Sequence, residues 1–184
     1  MITYRRPAPE EAEAFAALHV HCWQESYRGF VPNHLLDSAK PQDRFSMWYD
    51  ITVNPRRIVI GALDGKQPVG FAVAGEPHEK ILEDENGQLA ALYILNSHQR
   101  LGIGRELVGR AASAWLAMGG HSMSLSVFAG NLVAIKFYEA LGAVFVKDDI
   151  YEWAGTQLPT KTYIWTNLAK FGKVCQSLTD MLHS

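Results

Sequence analysis

Cysteine is nearly missing from this chain: Cys22 and Cys175 are the only two in 184 residues. So wide a separation makes neither a disulfide framework nor a metal-ligand spacing, and a reducing, cytoplasmic setting without a structural metal is expected. Long hydrophobic runs are also missing. No stretch approaches membrane-spanning length, and no N-terminal segment joins basic residues to an apolar run in the manner of a signal peptide. Nor is there an excess of one charge. Lys and Arg number 17 against 19 Asp and Glu, a formal charge of −2, which argues against a general nucleic-acid-binding surface. Internal repeats and low-complexity segments are absent. What remains, with 48% apolar and 20% charged residues, has the composition and length of one globular domain with a full core.

The most informative stretch runs from Leu89 to Met118. Leu89-Ala90-Ala91-Leu92-Tyr93-Ile94-Leu95 is short and rich in large apolar residues, and reads as a buried strand ended by Asn96-Ser97-His98. Gln99-Arg100-Leu101-Gly102-Ile103-Gly104 then leads into a helix from Arg105 to Met118. Ile103, Leu107, Ala111, Trp115 and Met118 recur there at helical spacing, and Gly119-Gly120 stops it. A strand that feeds a helix through a glycine-rich elbow gathers unpaired N–H groups at the helix N-terminus and lets an anion approach them without Cβ interference. Gly102 and Gly104 therefore either cradle a phosphate or merely shape a tight turn. Spacing disfavours two phosphate-binding families. A dinucleotide fold needs a glycine where Leu107 stands and an acid at the end of the next strand, where Ser122 to Val127 offers none. A P-loop needs Gly-Lys-Ser/Thr, and Gly104 is followed by Arg105-Glu106.

Ile2 and Tyr4 mark a short first strand. Pro9 and the acidic Glu10, Glu11 and Glu13 open a helix whose apolar face is Phe15, Leu18, His19 and Cys22, which makes His19 a core-edge histidine. The helix breaks between Gln24 and Pro32 at Gly29. A second helical region follows, anchored by Phe45, Trp48 and Tyr49. Arg57–Leu63 and Val69–Gly75 read as strands joined at Asp64-Gly65. Three hairpin-linked strands before the elbow make an antiparallel meander, unlike a doubly wound nucleotide fold. The loop from Glu76 to Gly87 carries Glu76, Glu79, Glu83, Asp84 and Glu85 against Lys80 alone, either a solvated hairpin tip or a negative rim for a cationic amine. Ser122–Val127 should run parallel to Leu89–Leu95, because a helix crosses between them. Asn131 and Tyr138, two helical turns apart, point the same way. Val144-Phe145-Val146 and Lys161–Trp165 give a final antiparallel hairpin. Leu168, Phe171, Cys175, Leu178 and Leu182 form one face of a C-terminal helix that docks on its own domain or on a second copy, making a homodimer.

Gln99-x-x-Gly102-x-Gly104 behind the strand Leu92-Tyr93-Ile94 resembles the acetyl-CoA signature of the GNAT N-acetyltransferase superfamily. The block from Leu125 to Gly142, containing Asn131-Leu-Val-Ala134-Ile135-Lys-Phe137-Tyr138-Glu139, resembles that superfamily's next strand, motif helix and helix-ending glycine. Trp23 to Pro32, with its Tyr-Arg-Gly, resembles the first helix and acceptor loop of bacterial single-domain members. The resemblance covers most of residues 1–166 and leaves 167–184 as an extension. It implies an α/β (α+β) fold, a mixed and mostly antiparallel sheet flanked by helices and splayed between its fourth and fifth strands. It also implies acetyl-CoA as co-substrate and an amine, small-molecule or peptide, as acceptor.

By this resemblance, the main-chain groups of Leu92, Tyr93 and Ile94 receive the pantetheine arm, and Gln99, Arg100, Leu101, Gly102, Ile103, Gly104 and Arg105 hold the pyrophosphate. Asn131 steadies the cofactor amide where it would otherwise only cap its helix, and Tyr138 acts as the acid where it would otherwise be plain core. Trp23, Tyr27, Phe30 and Trp48 either line an acceptor pocket, with Glu76, or belong to the core. A general base is not apparent, since Gln88, Ala90 and Ala91 stand where some members carry a glutamate. Glu76, Glu25 and His78 are the candidates, and there is the option of no base at all. A non-catalytic acyl-CoA-binding module, another acyl group, and protein N-termini as acceptors remain the alternatives to an acetyltransferase of small amines.

Overall fold

In the computed structural model, residues 1–77 and 87–169 are described. The elements are β1 (Ile2–Arg5), α1 (Ala12–Tyr27), α2 (Asn33–Ser38), α3 (Pro41–Val53), β2 (Ile58–Asp64), β3 (Gln67–Gly75), β4 (Gln88–Ile94), α4 (Ile103–Ala117), β5 (Met123–Phe128), α5 (Leu132–Ala140), β6 (Val144–Trp153) and β7 (Thr156–Trp165). Short 3-10 turns stand at Pro9–Glu11 and Asn96–His98. The sheet has seven strands in the order β1-β2-β3-β4-β5-β7-β6 and is mostly antiparallel. Its parallel pair is β4 with β5, where Gln88 stands opposite Ser124, as the crossover through α4 requires. This is the mixed α/β architecture expected. Among the described residues no helix is long and apolar enough to cross a membrane. His78, Glu79, Lys80, Glu83, Asp84, Glu85 and the apolar face beyond Leu168 lie outside the described residues.

The chain divides into two compact units, Met1–Val73 with Ala91–Leu107, and Ala74–Ala90 with Val108 onward. In the first, β1 pairs antiparallel with β2, Ile2 opposite Asp64 and Arg5 opposite Gly61. Phe15, Leu18 and Cys22 of α1 bury against Trp48, Val59 and Phe71. The rings of Phe15 and Phe71 meet Trp48 at 5.2 and 4.7 Å between centroids. Burying one such aromatic side chain contributes about 1.5–3 kcal/mol. The Arg6 guanidinium closes the C-terminus of α3 by donating to the carbonyls of Ile51, Thr52, Asn54 and Arg57 at 2.9, 3.1, 2.6 and 2.8 Å. Phe45 and Tyr49 are not the anchors expected. They are 45% and 46% exposed, because the buried stripe of α3 runs through Met47, Trp48, Ile51 and Thr52 and leaves both rings on its flank.

In the second unit Val108, Ala111, Ala112 and Trp115 are buried along α4. The Trp115 indole donates to the Ser122 carbonyl at 3.2 Å, and a Cβ at Gly87 or Gly120 would come within 2.2 Å of its Nε1. Glycine at both positions is thus a demand of the indole. The helix ends in a Schellman motif, with Gly120 N–H on Trp115 O at 2.9 Å and Gly119 N–H on Leu116 O at 3.0 Å. Met118, expected on the apolar face, falls past the last helical residue and is 51% exposed. β7 pairs antiparallel with β5 from Met123↔Trp165 to Phe128↔Thr160 and with β6 across the turn Ala154-Gly155. Both turn residues have positive φ, +48° and +76°, the signature of a two-residue hairpin turn matched to strand twist. β7 begins at Thr156, five residues before the predicted start at Lys161. Pro159, a poor strand residue, lies just past the end of the β5 ladder, so its missing N–H interrupts no β5 bond.

Candidate active site

The elbow is built from β4 outward. Leu95 N–H donates to Val69 O at 3.0 Å and so ends the strand on β3, and the 3-10 turn Asn96–His98 follows. The Gln99 amide donates back to Ile94 O at 3.2 Å and to Asn96 Oδ1 at 2.9 Å, which folds the elbow on itself. Arg100 and Gly102 then take positive φ, +64° and +81°, and α4 starts at Ile103. The first N–H groups of a helix have no intrahelical acceptor. A Cβ built on Gly102 meets nothing within 4 Å, so the space over the turn is open. In the first turn of α4, Arg105 Nε is sealed from solvent and has no hydrogen-bond partner among the described residues. A buried donor left unmade costs about 1–3 kcal/mol, more when charged, and is uncommon without a reason. Open space, helix N-terminus and orphaned guanidinium nitrogen together fit a phosphate-bearing ligand.

The same unit holds the expected acceptor side chains. Trp23, Tyr27 and Phe30 meet edge to face, with Trp23 and Phe30 at 5.9 and 5.6 Å from the Tyr27 ring. Tyr27 Oη lies 2.7 Å from Tyr93 Oη, which links α1 to β4. Burial raises the Tyr27 phenol above its ordinary pKa, against the opposing effect of the Tyr93 bond. The Arg44 guanidinium lies 6.0 Å from the Trp23 ring centroid, so a cation already occupies one face of that indole. Trp48, the fourth pocket candidate, is fully buried and belongs to the core.

His19 is a core-edge residue as expected, in ring contact with Trp48, Phe71 and Tyr93. Trp48 Nε1 donates to His19 Nδ1 at 3.3 Å, and burial, helped by Arg44, pulls its pKa down to about 4. The imidazole is neutral with its proton on Nε2. Cys22 is fully buried and its thiol is pushed up to about 12 by burial and by Glu25, so it offers no thiolate. Glu25, a candidate base, accepts from Asn96 N–H at 3.1 Å through Oε2 and faces His21 Nε2 at 3.4 Å through Oε1.

Asn131, Tyr138 and Glu76 belong to the second unit. Asn131 caps α5, its Oδ1 accepting from Ala134 N–H at 3.1 Å. The cap is thus made without the reciprocal acceptor of a capping box. Tyr138 is 8% exposed, with Phe137 and Trp165 at 5.3 and 6.1 Å from its ring. Its carbonyl accepts from Ala143 N–H at 3.0 Å, and Gly142, φ +80°, closes the helix. Glu76 is exposed. The Tyr27–Tyr93 hydroxyl pair, the inward bonds of Gln99 and the position of Arg44 over the Trp23 ring were not expected from sequence. None of them leaves a spacing signal, since each joins residues on different elements or within an irregular turn.

The model of the acetyltransferase (GNAT) family matches residues 13–143, and the chain belongs to that family. Over 170 residues it is 32% identical to the uncharacterized N-acetyltransferase YuaI of Bacillus subtilis (strain 168), covering 92% of this chain and 95% of that protein. Among solved structures, the PaiA N-acetyltransferase of Thermoplasma acidophilum in complex with coenzyme A superposes with a TM-score of 0.65. The two are 18% identical, and the match covers 88% of this chain and 98% of that one. YncA of Salmonella typhimurium, with its cofactor acetyl-CoA, gives a TM-score of 0.68 at 16% identity, covering 90% and 94%. These likenesses bear out the family and fold implied by the two motifs.

Proposed function

We propose that this acetyltransferase moves an acetyl group from acetyl-CoA to a primary amine by direct attack in a ternary complex. The start of α4 carries this reading, because Arg105 Nε is buried without a partner among the described residues and the space over Gly102 is open. Residues Gln99 to Arg105 hold the pyrophosphate through helix N–H groups and Arg105. The main chain of Leu92, Tyr93 and Ile94 receives the pantetheine arm as a sheet edge receives an added strand. With Asn131 Oδ1 engaged in the cap, its amide NH2 serves the cofactor amide. Acetyl-CoA, when bound, supplies an activated thioester carbonyl and a competent thiolate leaving group.

The chain then has little chemistry to add. An N–H near Ile94 stabilises negative charge on the acetyl oxygen, and this is not the N–H of Leu95, which Val69 already engages. Tyr138 gives its phenol proton to the departing thiolate, worth about 10²-fold, the lower range for general acid catalysis. A covalent route through Cys22 is disfavoured by its burial and raised pKa. His19 is a poor base, because Nδ1 accepts from Trp48 and Nε2 carries the proton. Trp23, Tyr27 and Phe30 form the acceptor wall, Glu76 adds negative charge, and no base is assigned. Residues 1–166 act as the catalytic domain in the cytoplasm.

CoA release should be followed across polyamines, amino acids, aminoglycosides and N-terminal peptides, with products identified by mass spectrometry. Acetylated product from one class establishes the enzyme and its acceptor. Tight acetyl-CoA binding with no acetylated product from any class would favour a binding module.

A further inference from the structure

We infer that Glu25 is a positioning residue that holds the acetyl-CoA elbow in place, and not the proton acceptor of the reaction; this rests on the cofactor site proposed above. Glu25 lies in the last full turn of α1, between Trp23 and Tyr27, and its Oε2 accepts from Asn96 N–H at 3.1 Å. Asn96 is the first residue of the turn that leaves β4, and its side chain accepts from the same Gln99 amide that bonds Ile94 O. One carboxylate thus fixes the main chain at the point where the elbow departs, and Gln99 fixes its side chain. Glu25 Oε1 faces His21 Nε2 at 3.4 Å, and the Glu25 side chain is 27% exposed against 60% for that of His21. A base needs an oxygen directed at the amine, whereas Oε2 of Glu25 is already taken by a main-chain N–H and Oε1 faces the His21 ring. Charge-assisted bonds of this kind are the stronger ones, and they set geometry.

Two substitutions separate the roles. Glu25→Gln keeps a carbonyl oxygen for Asn96 N–H but cannot take a proton, whereas Glu25→Ala loses both. Acetyl-CoA affinity is measured by titration calorimetry, and kcat and its pH profile with an amine identified as an acceptor. Glu25→Ala should weaken acetyl-CoA binding about tenfold. Glu25→Gln should stay within about twofold of wild type, with the acidic limb of its pH profile unchanged. Asn96→Pro removes the N–H itself and suits the first position of the turn, because Leu95 before it is already extended, at φ −51° and ψ 138°. In that background Glu25→Ala should add less than about twofold, since the bond it breaks no longer exists. Loss of kcat in Glu25→Gln together with the acidic limb would make Glu25 the base and overturn the inference. So would a Glu25→Ala protein that binds acetyl-CoA as wild type does. Wild-type protein that fails to bind acetyl-CoA overturns the proposed cofactor site and this inference with it; wild-type binding with no effect of Glu25→Ala overturns only the inference.

Discussion

Gly102→Ala separates a phosphate cradle from a tight turn, because Gly142 provides a matched control. The two glycines have φ of +81° and +80°, and a Cβ built on either meets nothing within 4 Å. The strain of placing an L-residue in the left-handed region is therefore the same at both, about 1–2 kcal/mol. A smaller gain from stiffening the unfolded chain offsets part of it, leaving about 1 kcal/mol, or a fall of about 2–4 °C in Tm for a chain of this size. Gly142 ends α5 and has no place in the cofactor reading. Gly102 precedes the first N–H groups of α4, and in the proposed cofactor site its Cβ would stand between the main chain and the pyrophosphate. Calorimetric titration with acetyl-CoA should show Gly142→Ala within about twofold of wild type and Gly102→Ala at least about tenfold weaker, a difference of about 1.4 kcal/mol. Equal melting temperatures with equal affinities in the two variants would mean that Gly102 only shapes the turn.

Burial of His19 makes stability depend on pH. Its folded pKa, about 4, lies below the ordinary 6.5, so the unfolded chain binds the proton first and stability is lost as pH falls from 6.5 towards 4, by about 3 kcal/mol in all. Denaturant titrations at pH 7 and 4.5 should show that loss, reduced in His19→Asn; parallel curves for the two proteins would contradict it. Arg6→Ala strips four carbonyls at the end of α3 of their donor and should cost about 2 kcal/mol in chemical denaturation, discounted for the exposed side chain; no change would mean water replaces it fully. Ala154→Gly should stabilise by about 0.5–1 kcal/mol, since Ala154 sits at φ +48° in a turn that favours residues at ease there, and a loss of stability would contradict the turn assignment.

The elbow and the α5 block were legible because both depend on local signals. Gly102, Gly119 and Gly142 stand where the backbone needs positive φ, and the apolar periods between them fix the strands and helices. Helix faces carried by one strong anchor were read less well. Phe45, Trp48 and Tyr49 have similar hydrophobicity, and only packing against Phe15 and Phe71 shows that Trp48 alone turns inward. The sheet edge was the least legible. β6 is exposed along nearly all of its length and β7 carries Pro159, a residue that argues against a strand, so neither is recognisable until its partner is known. Within the candidate site, residue types were readable and their bonds were not. Asn131 reads from sequence as a cap or a cofactor ligand, and its oxygen makes the cap. Gln99 belongs to the signature, yet its amide folds the elbow inward, a role set by the irregular path of Asn96–Arg100.

Single-turnover acetyl transfer by Tyr138→Phe, measured beside its acetyl-CoA affinity, decides whether Tyr138 is the acid of the transfer. Tyr138 packs between Phe137 and Trp165, contacts that a phenylalanine ring preserves. Affinity should stay within about twofold of wild type while the rate falls about 10²-fold. A variant that transfers acetyl at the wild-type rate would contradict this, and Tyr138 would then be core alone.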